Sequence, residues 1–508
     1  MGGIERANGV GGVGPIQGRG AQPDAPRFEP GRAMRLSETE QAQMDALAAR
    51  AQGGGPGAAV ASAELERRAE GYHAREMHRL ASDVYGVDTG FRNEDGTRIA
   101  APEGWTRAVG VDVSTPEGRA AANERLAPYG LTVADLNPQG DNGFRAELYL
   151  PDRAVLGEGA VPVLSFKGTT PTSAEDWATN LAQGVGAETE YYNRAMIAAD
   201  RLDLETDGRF EITGHSLGGG MASAAAAVTG AQATTFNAAG LHDDTAARFL
   251  EGRGIAPVDA MDTTTAYVVK GELLNTTASA MAAVDPENAQ AAVEFLQGGL
   301  GHADTVAGLA EKAEGIGGVV DRLSDSWLGR RVLGDDTRAR IDDAMERLQG
   351  IAGQARRVAD MTDAASGLMT ADGADLRAMP SAAGRVVMMD AVHADGTPRA
   401  PALGENDPAA LTDAIEGSIA EAGAIRRDTE GRFRDLDRRL GPVDEALGLD
   451  LPKAGEDAGR AAAAIHLFRD LGGFGGAISA GQEGLEAVNR HLNGPIADAL
   501  DHRIHGAQ

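Results

Sequence analysis

Arg209-Phe210-Glu211-Ile212-Thr213-Gly214-His215-Ser216-Leu217-Gly218-Gly219-Gly220 runs straight into an alanine-rich tract that reaches Val228. Its first five residues read as a short strand. The tract from Met221 reads as a helix, because alanine dominates it and Gly230 can terminate it. Between strand and helix lies Gly-x-Ser-x-Gly, the spacing of a nucleophile elbow, in which a sharp turn lifts a serine to its tip. Gly214 and Gly218 carry no Cβ, so strand and helix can approach closely around a strained turn. The free N–H groups of the helix N-terminus then point at the space around Ser216. A motif this short recurs by chance, and a tight structural turn is the competing reading. The strand before it, the small-residue helix after it and His215 inside it make Ser216 the candidate nucleophile.

Outward from the elbow the chain alternates strand and helix. Gly143–Leu150 and Ala160–Lys167 read as strands before it, the second a nearly continuous apolar run suited to a buried position. A helix through Tyr191, Tyr192 and Ile197 follows, then the elbow, then strands at Ala233–Asn237 and Thr265–Lys270. That alternation predicts an α/β fold with crossovers. From Asn275 to Met379 strand signals vanish and a helical insertion is expected, after which one more strand is expected in Gly384–Val392.

The flanks read as helical additions. Residues 1–35 are rich in Gly, Pro and Arg without periodicity and read as disordered. Ser37 and Glu40 form a capping box at the start of a helix, and a longer helix is expected from Ala58 to Val84 with Leu65, Tyr72, Met77, Leu80 and Val84 near helical spacing. The expected organisation is a helical region over 36–135, a core over 136–275, the insertion over 276–380, a last core strand in 381–396 and a C-terminal helical region over 397–508.

The chain has 508 residues, too many for one ordinary core, and aromatics make up only 4%, so its cores are built from small and aliphatic side chains. A net charge of -29 argues against nucleic acid and against general docking on anionic lipid. With no cysteine there is neither a disulfide framework nor thiol chemistry. The N-terminus has no apolar stretch of a secretory signal, and no apolar run approaches a membrane span. A cytoplasmic protein, or one exported without an N-terminal signal, is expected. The run from Ala461 to Phe468, with Phe474 beyond, is the best candidate for membrane contact, against the plainer reading of a helix buried in a bundle.

A serine hydroxyl needs a histidine to take its proton, and the histidine needs an acid to hold its tautomer. In elbow folds the order is Ser, acid, His, with the acid just beyond a later strand. Glu272, two residues past the strand that ends at Lys270, is the first choice; Asp262 and Asp285 are alternatives. Downstream bases are His302, His393, His466, His491, His502 and His505. His491 ranks first because it precedes an amphipathic helix anchored by Ile496 and Leu500, which would present it rigidly; His393, just after the last strand, is the alternative base. An oxyanion needs two donors. The N–H of Leu217 supplies one, and the strand end at Thr169 supplies the other through its N–H and hydroxyl. Ser173–Leu181, with Trp177 and Leu181 on one side and Glu175, Asp176 and Asn180 on the other, suits either a lid or an ordinary surface helix.

Leu164-Ser165-Phe166-Lys167-Gly168-Thr169 with Asp176-Trp177 and Asn180-Leu181, followed by Gly214-His215-Ser216-Leu217-Gly218-Gly219, resembles the class 3 (fungal-type) lipase family. The resemblance covers residues 140 to 275. It implies an α/β-hydrolase fold that cleaves lipid esters with no metal or cofactor, with Ser216 as nucleophile and Thr169 and Leu217 as oxyanion donors. The family's aspartate place falls on Glu272, and a long insertion separates strand and base. The remainder resembles bacterial lipase-like effectors, which implies a lipid or phospholipid substrate, transient contact with a membrane surface and a neutralising or delivery partner protein. The competing functions are a soluble carboxylesterase or acyltransferase acting on a small substrate, and a non-catalytic binding module that retains the elbow.

Overall fold

The structure is a computed structural model that describes residues 31–138, 143–170, 179–180, 182–300, 374–405, 407–447, 450–471 and 482–506. Seven strands form one mixed sheet whose spatial order follows chain order. They are β1 (Trp105–Arg107), β2 (Ala146–Pro151), β3 (Val163–Phe166), β4 (Glu211–His215), β5 (Gln232–Phe236), β6 (Thr264–Val269) and β7 (Arg385–Met389). β1 to β3 pair antiparallel, and β3 to β7 run parallel. All the parallel strands therefore end on the same edge of the sheet, and Ser216 follows the last residue of β4 there.

Alternation along each strand builds two cores. Leu164 and Phe166 of β3, Ile212 of β4 and Ala233 of β5 face the helices Glu190–Thr206 and Leu217–Thr229. Val163, Phe236, Tyr267, Val269, Val387 and Met389 face the other way, onto Ala74, Met77 and Leu80 of the helix Ala58–Asp83 and onto Ile496, Ala499 and Leu500 of the helix Asn493–His505. The end of the chain is thereby packed under the strands that carry the elbow. Ser165 and Thr213, polar residues inside β3 and β4, have buried hydroxyls that find carbonyl acceptors, Leu80 at 3.3 Å for Ser165 and Thr234 at 2.8 Å for Thr213, with Met77 at 3.3 Å from the latter.

Leu36–Ala69 lies in a compact unit separate from the one that holds Glu70 onward. Within it the helix Glu38–Gln52 opens on the expected capping box. The Glu40 N–H donates to Ser37 Oγ at 3.3 Å and the Ser37 N–H donates to Glu40 Oε2 at 2.7 Å.

Three sequence expectations change, and one open choice closes. Of residues 1–35, read as disordered, Ala33 and Met34 are buried and the Met34 N–H donates to the Leu156 carbonyl; residues 1–30 lie outside the described residues. Trp105–Arg107 is a strand inside the segment read as helical; at three residues on a sheet edge it is too short to show alternation. The helix after the elbow begins at Leu217, not Met221, because glycines at its first turn carry no helical signal of their own. Ala461, Ala463, Ala464 and Leu467 are buried in the helix Leu451–Leu471, which shares a core with the helices Leu273–Met281, Pro286–Leu300 and Pro408–Leu447. Those residues are thus bundle core rather than a membrane contact; Phe474 lies outside the described residues. Of the expected insertion, residues 301–373 also lie outside them, as does His302.

Candidate functional site

Ser216 sits between β4 and the helix Leu217–Thr229 with φ 59° and ψ -129°, a backbone region that side chains rarely adopt. The turn is held by a lattice of main-chain bonds. The Ser216 N–H donates to the Phe236 carbonyl, and the Ser216 carbonyl accepts from Gly219, Gly220 and Ala239. Close approach explains the glycines. A Cβ on Gly214 would stand 2.2 Å from the Gly218 oxygen, and one on Gly218 would stand 2.2 Å from the Phe166 oxygen. Both obstacles are backbone, so Gly218→Ala must push β3 away from the elbow. The expected cost is at least about 1–3 kcal/mol of stability, the range for overpacking. A thermal melt checks it, and an unchanged melting temperature would show that the contact relaxes.

The other two groups arrive from far along the chain. His491, the last residue of the helix Gln482–His491, brings Nε2 to 2.9 Å from Ser216 Oγ. Its Nδ1 lies 2.6 Å from Glu272 Oε2. Glu272 caps the helix Leu273–Met281. It accepts from the N–H of Leu274 at 3.0 Å and from the N–H and side-chain amide of Asn275, each at 2.7 Å. All three side chains are buried, Glu272 completely and Ser216 and His491 at 2% exposure. Three N–H donors from Leu274 and Asn275 already meet the Glu272 oxygens, so these act as acceptors, Nδ1–H of His491 donates to one of them, and Nε2 is left to accept the Ser216 proton. The arrangement can draw a proton off a serine and hold the resulting imidazolium against a carboxylate.

Thr169 is buried three residues beyond the end of β3, and its Oγ1 accepts from Asn180 Nδ2 at 3.0 Å. A hydroxyl that accepts there keeps its own hydrogen to give elsewhere. The strand-end loop reaches the elbow: a Cβ on Gly168 would stand 3.1 Å from Ser216 Cβ. Leu217 is the first residue of its helix, so its N–H has no partner within the helix. Of the lid segment, Ser173, Glu175, Asp176, Trp177 and Leu181 lie outside the described residues.

The alternatives fall elsewhere. His393 is exposed at the start of a tight hairpin, with its ring nitrogen 3.5 Å from Arg399; the ring beside Ser216 is that of His491. Asp262 is exposed in the short helix before β6, at the opposite end of that strand from Glu272. Asp285 is exposed and caps Glu287 at the start of the helix Pro286–Leu300. His466 is enclosed in the helical bundle near Ser418 and Asp470. His502 and His505 lie in the terminal helix.

Several residues in the site carried no sequence signal. Asn237, just past β5 at φ 42°, donates to the carbonyls of Arg490 and His491 at 2.9 and 3.3 Å and accepts from Val269 at 2.9 Å. Arg490, buried at 1% exposure, donates to the Lys270 carbonyl at 2.6 Å and to Glu405 at 2.9 Å, and also bonds the Ala400 carbonyl. Asn275 ties Glu272 to Ala382. The positive φ at Asn237 is the only one of these with a local cue, since asparagine after a strand tolerates it.

Residues 76–327 match the family model of a Tle-like phospholipase domain, described as phospholipase-like. The match takes in Thr169, Ser216, Leu217 and Glu272 and stops short of His491. The chain is also 34% identical over 186 residues to an extracellular phospholipase A1 of Serratia liquefaciens. That alignment covers 35% of this chain and 52% of the relative, so the chain spans about half the length of the curated protein it matches. Among the described residues no helix is long and apolar enough to cross a membrane, and no group of three or more His, Asp or Glu is placed to hold a metal ion.

Proposed function

We propose that this protein is a serine lipid esterase with an α/β-hydrolase core, a phospholipase that cleaves carboxylic esters of membrane phospholipids. The unbroken line of hydrogen bonds from Ser216 through His491 to Glu272 carries the reading. The phospholipase-like match and the phospholipase A1 relative supply the substrate class, which fold alone would not. The class 3 lipase resemblance of the elbow and the strand end at Thr169 points the same way.

In this mechanism His491 Nε2 takes the Ser216 proton as Oγ attacks the ester carbonyl. Glu272 holds the imidazolium through Nδ1–H. The oxyanion accepts from the Leu217 N–H and from Thr169, whose hydroxyl Asn180 orients as a donor. The imidazolium returns its proton to the leaving alcohol, a lysophospholipid. Water then attacks the acyl-enzyme with the same histidine as base, and the fatty acid leaves. The bond proposed is the sn-1 ester, after the activity in the relative's name. A role as an effector delivered against membranes, with a delivery or neutralising partner, extends the same reading.

Phospholipid vesicles incubated with the protein test it by lipid mass spectrometry. Free fatty acid and 2-acyl lysophospholipid in equal amounts are expected. Turnover of short soluble esters with vesicles left intact would move the assignment to a small-substrate esterase.

Thr169→Ala keeps the backbone donor and removes the hydroxyl. A loss of about 10- to 1000-fold in kcat is expected, scaled from the removal of one oxyanion donor, with KM little changed. An effect confined to KM would place Thr169 in substrate binding instead.

A further inference from the structure

We propose that His215 is a positioning residue: its Nε2–H fixes the main chain of His491 and so sets the base against Ser216. This rests on the serine-hydrolase reading above.

His215 is 4% exposed, and burial, followed by the neighbouring His491, holds its ring in the neutral form. A neutral imidazole has one N–H. Tyr85 Oη lies 2.9 Å from Nδ1, and the His491 carbonyl oxygen lies 2.7 Å from Nε2. A carbonyl can only accept, so the hydrogen is on Nε2, and Nδ1 takes the hydroxyl hydrogen of Tyr85. The tautomer follows from the partners on the two sides.

The consequence is geometric. His491 stands 275 residues from Ser216 and 219 from Glu272, so the chain itself does nothing to align them. Alignment comes from contacts to the strand ends. His215 at the end of β4 and Asn237 just past β5 both donate to the His491 carbonyl. Arg490 donates to the carbonyl of Lys270, just past β6. Each pin is near a reacting group in sequence. His215 directly precedes Ser216, and Lys270 lies two residues before Glu272. The nucleophile and the donor that holds the base therefore move as one rigid piece, and so do the acid and the acceptor that holds Arg490. The histidine inside the Gly-x-Ser-x-Gly motif thus acts on the base rather than on the serine beside it.

Two substitutions separate this role from packing. His215→Phe keeps a ring of similar size and loses the N–H. His215→Gln can place an amide N–H where Nε2–H lies. Displacement of a reacting group by about 1 Å can cost about 100-fold. His215→Phe is therefore expected to lower kcat about 10- to 100-fold with KM held within about twofold, and His215→Gln to recover most of the loss. Both are measured on vesicles and on a soluble ester, beside a thermal melt. Equal losses in the two variants, or full kcat in His215→Phe, would overturn the proposal. If His215→Phe fails to fold, His215→Asn replaces it, since its shorter amide reaches the place of Nδ1 and not that of Nε2; equal kcat in the Gln and Asn variants would then overturn the proposal. A serine-directed phosphonate on the unmodified protein guards the underlying reading. No labelling of Ser216 there would sink the serine-hydrolase assignment itself, whereas labelling that persists in every variant at the same rate would sink only the role of His215.

Discussion

Ser216→Ala is expected to lower ester hydrolysis by about 10⁴- to 10⁶-fold, the range for removal of one member of a group that works as a unit. What survives is the catalysis that oxyanion donors and substrate binding supply without a nucleophile. The loss belongs in kcat, because the Oγ of Ser216 makes its bond to the substrate only during reaction. The fold should be indifferent. The main-chain bonds that hold the elbow involve the N–H and carbonyl of residue 216, which alanine keeps, and the side chain gives up only its bond to His491 Nε2. Alanine must adopt the same φ of 59°, so the strain of the turn remains. Steady-state kinetics on phospholipid vesicles and labelling with a serine-directed phosphonate check it. Full activity in the alanine variant would end the hydrolase proposal, and labelling at a second serine would relocate it.

Why the elbow could be read from sequence, and much of its support could not, follows from the range of the interactions. Gly214, Ser216 and Gly218 interact within five residues, so their pattern is compressed into a motif. Glu272 is a candidate on chain order, which places an acid after a strand that follows the elbow helix, and β6 ends at Val269. The case for His491 in the sequence is the helix behind it, and Ile496 and Leu500 of that helix pack under the sheet, in the same core as Tyr267 and Val269. The contacts that hold the main chain of Arg490 and His491 leave no sequence signal of that kind. The bond from Asn237 to Arg490 spans 253 residues and that from Arg490 to Lys270 spans 220, and neither leaves a periodic trace. A lone arginine in a chain with 47 Lys and Arg residues reads as surface charge until its carbonyl acceptors are seen. β1 escaped for the opposite reason, since three residues are too few for a pattern.

His491→Ala should match Ser216→Ala in kcat, and the double substitution should add almost nothing, since the proposed mechanism has base and nucleophile act in one step. His393→Ala should leave activity unchanged, because that ring stands exposed on its hairpin beside Arg399. Glu272→Gln probes the third group differently. Its amide can turn an N–H toward His491 Nδ1, which drives the ring to the tautomer that carries hydrogen on Nε2, facing Ser216. A serine that must give up a proton then meets a donor, and a loss of about 10⁴-fold is expected, as for an acid-to-amide change in a Ser-His-Asp site. The amide nitrogen then stands where Oε2 accepts from Leu274 and forfeits that bond of the helix cap, worth about 1 kcal/mol, while Oε1 keeps Asn275, so a lower melting temperature accompanies it. Point variants are the informative ones. A chain cut before Gln482 loses His491 but also loses Ile496, Ala499 and Leu500, which cover Tyr267, Val269 and Met389, so its inactivity would report a broken core as readily as a missing base. The family-model match ends at residue 327, so it says nothing about the base; the kinetics of His491→Ala does. If that variant keeps its melting temperature and still cleaves phospholipid near the rate of the unmodified chain, the short contacts among Ser216, His491 and Glu272 hold the protein together without performing its chemistry.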